Sequence, residues 1–319
     1  LSSGYRHASY AQALAEFGRP RLLPASGGWV LLRPIPDSTR LDAQSCYPLL
    51  ACADWTQLAL DVDELARERN LVSLTAVTDP LGGCSVAELR RAFPALARPF
   101  KEHFIVDLQL PWRDLVSAHH RRNARQALNA VEVEQVAPET VLAEWQQLYA
   151  HLIERHAIQG LTAFSPASFA GQLQVPGLTV WRARQQGETV GQPGETVGMM
   201  LWYRCEDRAY YHLAAYAPRG YELKASFALC WRAFEQFAET GVRWLALGAG
   251  AGLGEQADDG LTRFKRGWAT GTRTAYLCGR IFDQTAYDEL CAMTGATGEA
   301  FFPAYRSPRR ALAQRSQTV

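Results

Sequence analysis

Lysine is the rare basic residue of this chain: Lys101, Lys224 and Lys265 are the only three, and every other basic position is arginine. A GC-rich coding bias explains such a skew, but with arginine taken at every other basic position each lysine stands out. Each of the three is therefore a candidate for chemistry. Lys265 lies in Phe264-Lys265-Arg266-Gly267-Trp268, just after an acidic stretch holding Glu255, Asp258 and Asp259. A carboxylate there could hold an ammonium group and accept its proton, or simply solvate a loop. His212 and Tyr216 alternate with Leu213 and Ala215 on a strand pattern, so they read as an acid, a base or a donor, or as satisfied core groups. His119, His120, Arg121, Arg122 and Arg125 crowd one short stretch. The arginines suit phosphate, with a solvated helix face as the other reading. Adjacent histidines on a helix cannot face one metal, so no metal site is expected.

The whole chain limits the partners. Its 319 residues leave room for one large domain or two of ordinary size, and its 48% hydrophobic content supplies a packed core. Formal net charge is +1. The chain therefore lacks a global field for polyanions, and any nucleic-acid contact must come from a local patch. Seven cysteines are scattered without a C-x-x-C, which fits neither a disulfide framework nor a zinc set. They read as buried apolar residues of a reducing compartment. No apolar run is long enough to span a membrane. The start, Leu1 to Tyr5, has neither Met nor a signal-peptide core, so the expected location is cytoplasmic.

Periodicity places these residues on elements. Helices are expected over Ser9–Phe17, Trp55–Arg69 with Asp54 as its cap, Asp114–Leu128, Pro138–Arg155 and Ala225–Thr240. Shorter helices are expected after the caps Ser85 and Ser165. Strands are expected over Trp29–Arg33, Leu71–Val77, Phe104–Leu108, Val131–Val136, Leu178–Arg184, Met199–Arg204, Arg208–Tyr216, Val242–Leu247 and Thr274–Phe282. Gly187-Glu188-Thr189-Val190-Gly191 is repeated as Gly194-Glu195-Thr196-Val197-Gly198, which reads as a lengthened hairpin loop. Gly248, Gly250 and Gly252 follow a strand but lack the spacing and the following helix of a dinucleotide or P-loop fingerprint. From Pro303 onward the tail is basic and is expected to fray.

Several stretches together resemble one family. His120-Arg121-Arg122-Asn123-Ala124-Arg125-Gln126-Ala127 leading into Val131-Glu132-Val133, then Tyr211-His212-Leu213-Ala214-Ala215-Tyr216, the helix from Ala225-Ser226 to Gly241, and Phe264-Lys265-Arg266-Gly267-Trp268 resemble the FemAB-like (BioF2-like) branch of the GNAT acyltransferases. The match spans about Val116 to Ala269. It implies an α/β (α+β) fold of two tandem GNAT-like lobes, with mixed central sheets flanked by helices and a cleft between the lobes. The expected domains are a degenerate first lobe over 1–112, the FemAB/BioF2-like domain over 113–300 and a basic tail over 301–319.

The resemblance implies an N-acyltransferase that moves an acyl or aminoacyl group from an activated carrier to an amine by direct attack. No cofactor is expected to be tightly bound. The donor is either aminoacyl-tRNA or acyl-CoA, so tRNA is a candidate partner beside the amine-bearing acceptor. In that reading Lys265, His212, Tyr216 and Asp259 are the catalytic candidates. Arg121, Arg122, Arg125, Phe264, Lys224 and Ser226 are the binding candidates. Arg219 to Ala225 occupies the place of the family's pyrophosphate loop, but Glu222 stands where its first glycine belongs. A carboxylate there repels a diphosphate, with Lys224 as partial compensation. The alternatives are an acetyl-CoA-dependent N-acetyltransferase and a non-catalytic module that holds tRNA or an anionic precursor on the arginine patch.

Overall fold

The computed structural model describes residues 2–158, 160–187, 194–250 and 259–307. The chain divides into two compact units, each discontinuous in sequence. Unit 1 takes the N-terminal residues through Ala13 together with Lys101–Thr274, and unit 2 takes Leu14–Phe100 together with the chain from Ala275.

One series of elements occurs twice. After α1 (Ala8–Ala13) comes an antiparallel meander of β1 (Arg19–Leu23), β2 (Gly28–Pro34) and β3 (Leu41–Ser45). Helix α2 (Leu58–Leu65) then leads to β4 (Leu71–Val77), parallel to β3, and α3 (Val86–Ala92) leads to the long β5 (Leu96–Asp107). Next are α4 (Trp112–Leu115), α5 (Ala118–Leu128), β6 (Val131–Val136), α6 (Leu142–His156) and α7 (Pro166–Gln172). The series then recurs. The meander is β7 (Leu178–Gln185), β8 (Thr196–Cys205) and β9 (Arg208–Tyr216), followed by α8 (Pro218–Glu222) and α9 (Ala225–Glu239). Strand β10 (Trp244–Gly248) is parallel to β9, and α10 (Gly260–Arg266) precedes the long β11 (Gly271–Ile281) and α11 (Gln284–Met293).

The last strand of each series completes the other unit. In unit 1 the strands run β5-β10-β9-β8-β7-β6, and β5 lies antiparallel to β10. In unit 2 they run β1-β2-β3-β4-β11, and β11 lies antiparallel to β4. The fold is thus mixed α/β and tandem, as expected, and neither unit is one continuous stretch of chain.

Local chemistry explains the elements that position the site. Helix α9 buries Ala225, Ala228, Leu229, Ala233, Phe234 and Phe237 at helical spacing against Trp202, Trp268 and β5's Phe104 and Val106. Ser85 and Glu88 form a full capping box for α3 and Ser165 caps α7 as expected, whereas Asp54 caps a short 3-10 turn, Trp55–Gln57, ahead of α2. The helix expected over Asp114–Leu128 is broken. Val116 is extended at ψ 135°, and Ser117 restarts the chain as α5's cap by accepting from the His120 N–H. Strand β5 begins at Leu96, eight residues before the expected Phe104; its first half is at most half-buried and carries no apolar alternation to mark it as strand.

The tail corrects an expectation. Pro303 to Ser307 are held in place, while the rest of the tail, 308–319, lies outside the described residues. Ala304 and Tyr305 are buried, the Tyr305 and Ser73 hydroxyls lie 2.7 Å apart, and Arg306 pairs with the fully buried Asp42, which Arg33 also holds at 3.0 Å. A buried carboxylate needs such partners, and Arg306 supplies one. The doubled loop at 188–193, Gly252, Glu255 and Asp258 lie outside the described residues. Among the described residues no helix is long and apolar enough to cross a membrane.

Candidate active site

The parallel pairing of β9 with β10 is short. It runs from Trp244/Arg208 to Ala246/Tyr210 and, among the described residues, goes no further, although both strands continue. Beyond Tyr210 and Ala246 the two strands part, with no further pairs among the described residues. Lys265 of α10 lies where they part. Its Nζ donates to the Ala249 carbonyl at 2.7 Å, just past β10, and sits 5.8 Å from the centre of the Tyr211 ring on β9. Gly248 turns there with φ 79°, and a Cβ on it would stand 3.0 Å from that ammonium.

Lys265 is buried, and burial draws its pKa down from 10.5 to about 7. The charge of Lys101 lowers it further, while Asp259 and the Cys230 thiol act in the opposite sense. His103, on β5, is also buried. Burial, reinforced by the charges of Lys265 and Lys101, takes its pKa down to about 4, so its imidazole is neutral at physiological pH. The sequence reading passed over His103 because it began the strand one residue later. Lys101 was legible only as a rare lysine.

Asp259 caps α10. Its carboxylate accepts from the N–H groups of Leu261 (2.8 Å) and Thr262 (2.9 Å) and from the Thr262 hydroxyl (2.7 Å). This fixes the start of the helix that carries Lys265 and engages the carboxylate in positioning. Phe264 packs against Phe227, His120 and Trp268. Its carbonyl accepts from His120 Nε2 at 2.8 Å, and His120 Nδ1 lies 2.8 Å from the Ser117 hydroxyl. His120 is therefore a clamp between α5 and α10. Gly267 is the seat of that ring, since a Cβ there would fall 2.1 Å from His120 Cε1. We expect Gly267→Ala to cost about 1–3 kcal/mol, the usual range for overpacking. Thermal melts should show a smaller cost when His120 is also replaced by alanine. Equal costs in both backgrounds would deny the clamp.

The remaining candidates separate. Tyr216 shares the α9 side of the sheet with Trp202 and Tyr211 and packs on Tyr221. His212 does not. The register of β8 with β9 steps from Leu201/Leu213 to Trp202/Tyr211, which makes His212 the extra residue of a bulge. It turns into a cluster with Tyr5, Tyr10 and Tyr203. There its Nδ1 accepts from the Tyr5 hydroxyl at 3.0 Å, and its Nε2 donates to Gln172 Oε1 at 2.8 Å. Burial holds its pKa down to about 3. The simple alternation that put His212 and Tyr216 on one face fails at this bulge, and His212 fastens the N-terminal segment instead.

Of the basic cluster, Arg121 is spent on the carbonyls of Asp114 and Val116 at the end of α4, while Arg122 and Arg125 are exposed. Lys224 stands in the left-handed conformation at φ 58° ahead of α9, and its Nζ donates to Asn123 Oδ1 (3.0 Å) and Gln126 Oε1 (2.9 Å) on α5. Ser226 is half-buried in the first turn of α9. The structure thus gathers Lys265, Asp259 and Phe264 on α10, with Tyr216 on the α9 side of the adjoining sheet. Arg122, Arg125 and Lys224 form a separate group on and beside α5.

This geometry is that of a known class. Residues 117–266 match the family model of the acetyltransferase (GNAT) domain. Over residues 117–266 the chain is accordingly similar to the GNAT acyltransferase domain. Its fold is also that of FemX, to which it is similar with a TM-score of 0.65 at 12% identity over 88% of this chain and 93% of that one. It is similar as well to L-PGS from Bacillus licheniformis (TM-score 0.52, 17% identity, 88% and 94% covered). A protein of unknown function from Bacteroides thetaiotaomicron shares the fold too (TM-score 0.55, 12% identity, 87% and 93% covered). No curated protein matches the chain in sequence.

Proposed function

We propose that the chain acts as a FemAB-like N-acyltransferase, passing an acyl or aminoacyl group from an activated carrier to an amine. The observation that carries this reading is the Lys265 ammonium where β9 and β10 part. In the proposed reaction the neutral amine attacks the carrier-bound carbonyl carbon directly and the C–N bond forms. The electron pair displaced onto the carbonyl oxygen is stabilised beside the Lys265 charge; its return breaks the bond to the carrier, whose leaving oxygen or sulfur takes up the proton that the attacking nitrogen gives up. Binding in one cleft supplies the rest of the rate by orienting the two substrates.

The loop ahead of α9 favours a carrier other than coenzyme A. Glu222 ends α8, in the place of the family's phosphate-binding loop, and Arg219 pairs with it there at 2.7 Å. Lys224, the residue that would compensate, is turned to Asn123 and Gln126. The exposed Arg122 and Arg125 beside it suit the phosphates of a tRNA. The test is a transfer assay read by mass spectrometry, offering aminoacyl-tRNA and acetyl-CoA separately to a panel of amines. Product from aminoacyl-tRNA alone is the expected result. Product from acetyl-CoA alone would replace this reading with the acetyltransferase one.

A further inference from the structure

We infer that Tyr5, His212 and Gln172 are positioning residues for the Lys265 site: joined by hydrogen bonds, they hold the bulge of β9 that turns Tyr211 toward Lys265. The register shows what the bulge does. From Gly198/Tyr216 to Leu201/Leu213 the strand β9 keeps one register on β8, and from Trp202/Tyr211 to Cys205/Arg208 it keeps another. Directly opposed residues share a face of the sheet. Trp202 is on the α9 side, and so is Tyr211, which packs on it. Tyr203 is on the other side, against Tyr5 and Tyr10. If the first register ran on unbroken, His212 would stand opposite Trp202 and Tyr211 opposite Tyr203. A slip of one residue exchanges the faces. Tyr211 would then leave the side on which its ring centre lies 5.8 Å from Lys265 Nζ. The bulge also follows directly on Tyr210, whose pair with Ala246 is the last of β9 with β10 among the described residues. A bulge bends the strand that carries it, which accounts for the parting of the two strands there.

The extra residue stays where its own contacts hold it, and those of His212 are directional. Burial holds its imidazole neutral, so the ring offers one donor and one acceptor. Gln172 sets which nitrogen does which. Its Nε2 donates to Ser168 Oγ at 3.0 Å, so its Oε1 is left to accept from His212 Nε2, and His212 Nδ1 in turn accepts from the Tyr5 hydroxyl. Tyr203 adds a fourth bond by donating its hydroxyl to the Gln172 carbonyl at 3.1 Å. Tyr5, Ser168, Gln172 and His212 are all buried, so loss of the imidazole strands the Gln172 Oε1 away from water. The segment ahead of β1 and helix α7 thus act on the site from the opposite face of the sheet. The inference rests on the acyl-transfer reading only for its effect on rate.

The test reads the site directly. The chain has three lysines, so full-length protein made with 13C-lysine gives three ε-methylene signals, and the one that Lys265→Met removes belongs to Lys265. The ring current of a tyrosine displaces such a signal, and Tyr211→Leu gives its position with the ring gone. In protein shown to be folded by thermal melts, His212→Leu should carry the Lys265 signal most of the way to that position. Tyr5→Phe, which removes only a hydroxyl, should carry it part of the way, and it decides alone if His212→Leu does not fold. His212→Gln keeps an acceptor and a donor and should bring the signal back. In the transfer assay kcat should fall at least about tenfold in His212→Leu, with KM little changed. The proposal is overturned by a Lys265 signal that Tyr211→Leu does not move, or that keeps its wild-type position in the folded variants. It is equally overturned by a signal no nearer wild type in His212→Gln than in His212→Leu, or by one that moves without loss of kcat. A signal that follows these variants in a protein with no transfer from any carrier counts against the acyl-transfer reading alone.

Discussion

Lys265→Met is expected to stop transfer and, below about pH 7, to make the protein harder to melt. The two effects have one cause. A buried ammonium is held at a cost, and its folded-state pKa of about 7 lies well below the 10.5 of a free lysine. Between those values the unfolded chain keeps a proton that the folded chain has released, so stability rises with pH across that window. The penalty is fully present below about pH 7 and gone above 10.5. Methionine fills nearly the same volume without a charge, so it removes the penalty. The melting temperature should rise at pH 6 by at least about 2–4 °C, the shift that 1 kcal/mol produces in a domain of comparable size. The advantage should vanish toward pH 10. Transfer should meanwhile fall roughly 10²–10³-fold, the usual loss when one donor to a developing oxyanion is removed. Equal melting of the two proteins at pH 6, or undiminished turnover, would take Lys265 out of the site.

The second large effect concerns the exchanged strands. A fragment covering 113–300, the stretch that the family motifs suggest as a domain, should not fold. It lacks Lys101–Asp107 of β5, which pairs with β10, and the N-terminal segment whose Tyr5 and Tyr10 pack on Tyr203 and His212. It would leave the β10 edge bare and Phe104 and Val106 missing from the core around Trp268. Circular dichroism should show no cooperative melt, whereas a chain cut between 112 and 113 with both pieces present should recover one. A stable, cooperative 113–300 fragment would mean that these strands are dispensable.

Much of this architecture could be read from residue order, and the failures have physical reasons. Strands β4 and β6 have the expected ends because their patterns are bounded by turns on both sides. The first half of β5 escaped notice because strand pairing there is not accompanied by burial of one face. Nothing in the residue types announces a bulge, so the side to which His212 turns was not legible. Lys265 stood out by type and motif. Its burial did not, because that depends on Ala249 and Tyr211, which are far from it in sequence.

The crossing of β5 also bears on how the chain is made. A ribosome releases Asp107 roughly 140 residues before its hydrogen-bonding partner Trp244, which at ordinary synthesis rates is a wait of about 7–30 seconds. Through that interval the nascent protein carries a strand with no neighbour to shield its edge. Such an edge invites association with other chains. The protein is therefore built to mature late, after almost all of it has left the tunnel, and its yield in cells should depend on what shelters that early strand in the meantime.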